Sequence, residues 1–216
     1  MNDIVLIGSS SKLKDELRNL GHKVRSFGRK TKISCDIREN FKDNFFENIP
    51  IDSSCYVINI GILNNFNIID YSEEKAWESM NVNCIGIIRV CEYILKNNSA
   101  ARIIIIGSES GKKGSFDTVY FLAKSALNAY VKERYLNFPE QQLLIISPST
   151  IDDGLMTTSR KDTNRLEEYK SKHPKKRFLK MRELSELVSS ILELDSSYLS
   201  NTEIELNGGK FSRMKV

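Results

Sequence analysis

Arg102-Ile103-Ile104-Ile105-Ile106-Gly107-Ser108 runs four isoleucines into a glycine and a serine, and Tyr120-Phe121-Leu122-Ala123-Lys124 follows twelve positions after that serine. An uninterrupted branched apolar run has no polar side to turn to water. It reads as a strand in the middle of a parallel sheet covered on both faces. Parallel strands need a crossover between them, and Tyr120–Leu136 is predicted to be the helix that makes one.

The same alternation extends in both directions. Ile4–Ile7, Lys23–Phe27, Lys32–Cys35 and Cys55–Ile60 read as strands, Lys12–Leu20 as a helix, and Phe41–Asn48 as a short helix. Glu73–Lys96 repeats Trp77, Met80, Cys84, Ile88, Cys91 and Ile94 at helical intervals behind a start signal at Ser72. After the Tyr120 helix come a strand at Leu143–Ser147, a helix at Glu183–Leu194 and a last strand at Thr202–Leu206 that stops at Gly208-Gly209. The expectation is one α/β domain over residues 1–216, a doubly wound parallel sheet of about seven strands with helices on both faces. Ligands bind such sheets at the carboxyl ends of the strands. The residues to watch are therefore Gly8–Ser11, Arg29, Asp36, Asn59–Gly61, Ser108 and Pro148–Ile151.

Composition excludes several classes. The 216 residues are 40% hydrophobic and 28% charged with a net charge of +4, which suits a folded domain and not a disordered chain. The lysines are scattered, and the run Lys170–Arg177 reads as a solvated face, so no nucleic-acid partner is expected. Four isolated cysteines (Cys35, Cys55, Cys84, Cys91) and two histidines make no zinc pattern and read as reduced core residues. No signal-like N-terminus and no membrane-length apolar run is present, so the expected location is the cytoplasm.

Tyr-x-x-x-Lys occurs twice, at Tyr71–Lys75 and Tyr120–Lys124, where composition alone predicts less than one. Tyr71 lies at a loop-to-helix boundary and reads as a surface helix start. Tyr120 follows a strand-end serine and opens a long helix, so Lys124 shares its face one turn on. A free phenol has a pKa of ~10. An ammonium at ~4 Å, in an effective dielectric of ~20, favours the phenolate by ~4 kcal/mol before solvation is subtracted.

These residues carry a family resemblance. Ile106-Gly107-Ser108 with Gly111 and Gly114, then Tyr120-x-x-x-Lys124, resembles the serine and Tyr-x-x-x-Lys blocks of the short-chain dehydrogenase/reductases. Asn59-Ile60-Gly61, Asn81-Val82-Asn83, Pro148-Ser149-x-Ile151 and Glu203–Gly209 resemble four further blocks, all in the family's order. The resemblance implies a Rossmann-like NADP-binding domain, with NAD possible as cofactor, that acts on a small-molecule carbonyl or alcohol. Tyr120 would be the general acid/base. Lys124 would assist it and bind the nicotinamide ribose, Ser108 would polarise the carbonyl, and Asn83 would hold a proton-relay water. Cofactor contacts would come from Gly8, Ser10, Ser11, Lys12, Leu13, Arg29, Asp36, Ile37, Asn59, Ile60, Gly61, Tyr120, Lys124, Pro148, Ser149 and Ile151. Arg29 and Lys12 suggest a 2′-phosphate. The resemblance also implies a homodimer or homotetramer through the Trp77 and Tyr120 helices, with Phe121, Leu127 and Tyr130 facing outward.

The sequence departs from the family in the first loop. Gly8-Ser9-Ser10-Ser11-Lys12-Leu13-Lys14 keeps only the first of three glycines. The later glycines let backbone approach a pyrophosphate, although free helix N–H groups and a lysine can still hold one. That departure supports an alternative, a non-catalytic dinucleotide-sensing or scaffold protein on the same fold. A sugar-nucleotide epimerase would need a larger region after Met156. The lid, Asp152 to about Lys176, is polar and basic. It hints at a polar sugar derivative or a carrier-linked acyl group, or reads simply as a mobile solvated loop.

Overall fold

The computed structural model describes residues 2–8, 11–29, 31, 35–64, 66–160 and 162–214, with backbone alone for Ser11. The four isoleucines behave as their pattern requires. Ile103 and Ile105 enter one core and Ile104 and Ile106 the other, because alternate side chains leave a strand on opposite faces. The same split divides Val5 and Ile7 from Ile4 and Leu6, and Leu143 and Ile145 from Leu144 and Ile146.

Among the described residues the sheet has six strands: β1 (Asp3–Ile7), β2 (Lys23–Phe27), β3 (Cys55–Ile58), β4 (Arg102–Ile106), β5 (Gln142–Pro148) and β6 (Thr202–Leu206). Their order is β2-β1-β3-β4-β5-β6 and every pairing is parallel. Helices α1 (Ser11–Asn19) and α8 (Met181–Glu193) cover one face through Leu13, Leu17, Leu184 and Val188. The other face is covered by α2 (Glu73–Met80), a π turn (Asn81–Ile85), α3 (Gly86–Asn97) and α5 (Thr118–Glu133). The chain reverses its winding at β1, which lies between β2 and β3. The carboxyl ends of β1 and β3 therefore flank the switch point of the sheet.

Several expectations are corrected. The strand expected at Lys32–Cys35 falls mainly outside the described residues, and Cys35 itself is irregular chain that donates its N–H to Gly28 O at 3.2 Å. Phe41–Asn48 forms only a 3₁₀ turn at Phe45–Asn48, and β3 stops at Ile58 instead of Ile60. The long helix Glu73–Lys96 is interrupted by the π turn. The lid is not a bare loop, since it carries α6 (Leu155–Thr158) and α7 (Thr163–Lys172). Leu127 does not face outward. It is fully buried against the sheet, while Leu122 of the same helix is exposed. A short helix α4 (Ser110–Lys113) precedes α5.

Candidate active site

The cluster forms where the chain leaves β3. Asn59 donates its N–H to Ile7 O at 2.8 Å, which holds this exit against the end of β1. Gly8 is the only residue type that fits the adjoining turn. Its φ is +110°, and a Cβ there would lie 2.1 Å from Asn59 O.

Three buried side chains then grip the following loop. Lys124 Nζ donates to Ile60 O at 3.2 Å. Asn83, in the middle of the π turn, holds Ile62 twice: Oδ1 accepts from its N–H at 3.0 Å and Nδ2 donates to its carbonyl at 3.0 Å. Asp117 Oδ2 accepts from Asn64 N at 2.8 Å. The π turn widens the helix by one residue per turn, which aims Asn83 inward. Asn81 anchors that turn to Asn40 Nδ2 at 2.7 Å.

Ser108 and Tyr120 meet across the sheet edge. Gly107 lets β4 end close to β5, since a Cβ there would fall 2.7 Å from Ile145 Cδ1. Gly111 lets α4 lie against α5, where Ser125 Oγ donates to Gly111 O at 2.6 Å. The turn so fixed brings the Ser108 hydroxyl near enough to the Tyr120 phenol to act on its titration. Lys124 Nζ lies 5.7 Å from the Tyr120 ring centre. Tyr120 and Lys124 are both buried, at 6% and 2% exposure.

Burial dominates the electrostatics here. It pushes the Tyr120 phenol above its usual value against the opposing influence of the Ser108 hydroxyl, and the Asp117 charge adds to the rise. Burial pulls the Lys124 ammonium down to about 8, with Cys84 opposing. The expected lowering of Tyr120 by its neighbour is thus reversed in this structure. Lys124 spends its ammonium on a backbone carbonyl, and desolvation outweighs the pair's attraction.

The remaining expected residues scatter more widely. Asn59, Ile60, Gly61, Pro148, Ser149 and Ile151 lie at the carboxyl edge, and the buried Ser149 Oγ has no hydrogen-bond partner among the described residues. Ser10 and the Ser11 side chain lie outside the described residues. Leu13 is a core residue with no exposed surface, and Ile37 packs in the opposite core. Asp36 caps the 3₁₀ turn Ile37–Glu39. Burial would raise its carboxyl, but the Arg38 guanidinium and N–H outweigh that and hold it below the usual range. Arg29 is exposed at the end of β2, and its charge reaches Asp36. Lys12 does not turn towards Arg29. It pairs with Asp153 at 3.2 Å, and Asp153 also caps α8 by accepting from Met181 N at 2.8 Å.

Three residues of this region were not anticipated. Asp117 is fully buried, and Tyr71, read from sequence as a surface residue, donates its hydroxyl to Asp117 Oδ1 at 2.6 Å. Met156 of α6 lies over Gly61, its Cε 3.0 Å from where a Cβ would stand. Asp117 was detectable, since an aspartate just before an apolar helical run is a capping signal. Neither Tyr71 nor Met156 carries a local sequence cue.

A doubly wound parallel sheet with serine, tyrosine, lysine and asparagine converging at its carboxyl edge is one class of α/β protein. A family model described as enoyl-(acyl carrier protein) reductase matches residues 4–210. The chain belongs to the short-chain dehydrogenase/reductase family. It is 28% identical over 159 residues to the 3-oxoacyl-(acyl-carrier-protein) reductase FabG of Buchnera aphidicola subsp. Baizongia pistaciae, a match covering 71% of this chain and 64% of that protein. Its fold resembles that of a short chain dehydrogenase family protein from Francisella tularensis subsp. tularensis SCHU S4, with a TM-score of 0.81 at 18% identity over 99% of this chain and 100% of that one. It also resembles a variant of actinorhodin polyketide ketoreductase with NADPH, with a TM-score of 0.80 at 16% identity over 98% of each chain.

Proposed function

We propose that this chain is an NAD(P)-dependent oxidoreductase that interconverts a carbonyl and a secondary alcohol. The observation that carries the proposal is the buried Tyr120 phenol, near Ser108 and beside the buried Lys124 ammonium. A scaffold has no physical need for these groups in one desolvated cluster. The nicotinamide would supply or accept the hydride. Tyr120 Oη would deliver a proton to the carbonyl oxygen, or take it from the alcohol, while Ser108 Oγ hydrogen-bonds the same oxygen. An ammonium drawn down to about 8 exchanges its proton readily near neutral pH, which suits Lys124 to resupply Tyr120. Asn83 fixes the Ile62 backbone beside it.

The residues fit a dinucleotide best on the nicotinamide side, where Ser149 offers a hydroxyl with no partner among the described residues and Lys124 and Gly61 lie together. On the phosphate side Lys12 would hold pyrophosphate and Arg29 a 2′-phosphate, which favours NADP over NAD. The lid and the similarity to a 3-oxoacyl-(acyl-carrier-protein) reductase support a carrier-linked acyl substrate, with a polar sugar derivative as the other candidate. Trp77 and Leu122, 54% and 46% exposed, support pairing of α2 and α5 with a second copy into a cytoplasmic homodimer or homotetramer.

Thermal unfolding with NADPH, NADH and neither tests cofactor binding before any substrate is known. NADPH should raise the midpoint more than NADH, and Arg29→Asp should reverse that order. Equal shifts by both cofactors in the parent would contradict the assignment to Arg29. The alternative, a non-catalytic dinucleotide sensor or scaffold, draws on one specific observation: Lys12 is already paired with Asp153, and the loop before it lacks the later glycines. It would gain if NADPH binds yet no keto-sugar, β-ketoacyl thioester or quinone is reduced.

A further inference from the structure

We propose that Asp117 is a positioning residue that locks Tyr120 to the Asn59–Asn64 loop, with Tyr71 as its third anchor; this rests on Tyr120 being the proton-transfer residue. A helix N-cap needs one acceptor for one N–H, and such caps work at an exposed surface with Ser, Thr, Asn or Asp. Asp117 does that much, since Oδ1 accepts from Tyr120 N at 3.0 Å. Capping alone does not explain a carboxylate with 0% exposure, because burying one is unfavourable unless its oxygens are satisfied. Here they are satisfied from two further segments. Tyr71, just before α2, donates to Oδ1 at 2.6 Å, and Asn64 N donates to Oδ2 at 2.8 Å. Asn64 Nδ2 also reaches the Tyr71 oxygen at 3.3 Å.

The carboxylate therefore ties together the start of α5, the chain leaving β3 and the approach to α2. The tie lies on both sides of the reacting group. Asp117 holds the backbone of Tyr120 itself, and the loop it holds at Asn64 is the one that Lys124 holds at Ile60 and Asn83 at Ile62. A slip of Asn64 would move the carbonyl that fixes the Lys124 ammonium relative to the phenol. Tyr71 extends the tie towards Asn83, because its hydroxyl contacts Ser79 and Ser79 Oγ accepts from Asn83 Nδ2 at 3.2 Å. Burial first, and then the Asp117 bond, keep the Tyr71 phenol protonated and donating. Among the described residues the charged or titratable groups facing Tyr120 are Asp117, the N-cap of its helix, and Lys124 one turn on, with Tyr71 behind Asp117 and Cys84 from the π turn beside Lys124.

The test compares Asp117→Ser, Asp117→Asn and Tyr71→Phe with the parent, using Tyr198→Phe, at a 97% exposed position, as control. Serine is a full N-cap but is too short to hold Asn64 and Tyr71 as well. Positioning predicts that Asp117→Ser stays folded while kcat falls about tenfold to a hundredfold, the scale of an ångström-sized misplacement. Tyr71→Phe should lose kcat by a smaller factor, with KM steady. Asp117→Asn, which keeps the shape and removes the charge, should recover part of the kcat and shift the basic limb of the kcat–pH profile to lower pH. Retention of parental kcat and pH profile by both Asp117→Ser and Tyr71→Phe would overturn the proposal and leave Asp117 an ordinary cap. Amide hydrogen exchange supplies the arm that needs no substrate. Asn64 should lose protection in Asp117→Ser and in Tyr71→Phe alike; unchanged protection at Asn64 in both also overturns the proposal. A parent that reduces no compound in the panel defeats the oxidoreductase reading, while the exchange result still decides whether the lock exists.

Discussion

The chain contains the same five-residue spacing twice, and the two copies behave as opposites. Tyr120 and Lys124 both lie on α5, both are buried, and the lysine is drawn down to about 8 by burial. Tyr71 stands outside α2, whose N-cap is Ser72, so Lys75 is not its neighbour on a helix face. Lys75 is exposed and bonds Glu78 at 2.7 Å, and that bond raises its pKa. One lysine is moved down by desolvation and the other up by a solvent-screened ion pair. The spacing is common to both, and the chemistry follows from burial. Yet Tyr71 is not idle either, since its hydroxyl supports the carboxylate beneath Tyr120.

The sharpest way to break this contrast is to remove each ammonium in turn. The folded protein holds the Lys124 proton with a pKa of about 8, below the usual lysine value near 10.5. Below pH 8 the folded state therefore carries a charge that the unfolded state carries more favourably. Lys124 detracts from stability there, and the deficit closes as pH rises from about 8 towards 10.5. Lys124→Met should abolish turnover and remove this pH dependence, so that the parent gains stability on the variant between pH 7 and pH 10. Denaturant titrations at pH 7 and pH 10 check it: a difference between variant and parent that is the same at both pH values would mean the ammonium is solvated. Tyr71→Phe should lose about 1–2 kcal/mol as Asp117 gives up a donor. Lys75→Met should change neither stability nor rate measurably, since exposed ion pairs contribute little.

Much of this was legible in the sequence. The ends of β2 and β4 fall where the strand meets a glycine, at Gly28 and Gly107, and the strand-end serine marked Tyr120 and Lys124 as the pair of interest. What escaped depends on contacts distant in the chain. Nothing in Asn81-Val82-Asn83 signals a π turn, because its cause lies partly in Asn40 and the packing of Gly86, where a Cβ would fall 2.6 Å from Ile37 Cγ1. Leu127 and Leu122 are equally apolar, and only the sheet decides which is buried. The lid helix α7 buries Leu166 alone, too little for a periodic signal. Asp117 reads as a cap, whereas its burial is created by Tyr71 and Asn64, far away in sequence.

The central claim is that chemistry belongs to the buried pair, and Tyr120→Phe tests it most directly. With NADPH and a β-ketoacyl thioester, NADPH oxidation should vanish in Tyr120→Phe while NADPH affinity stays within about twofold of the parent, because the ring keeps its packing and only the transferable proton is lost. Parental turnover by Tyr120→Phe would contradict the account.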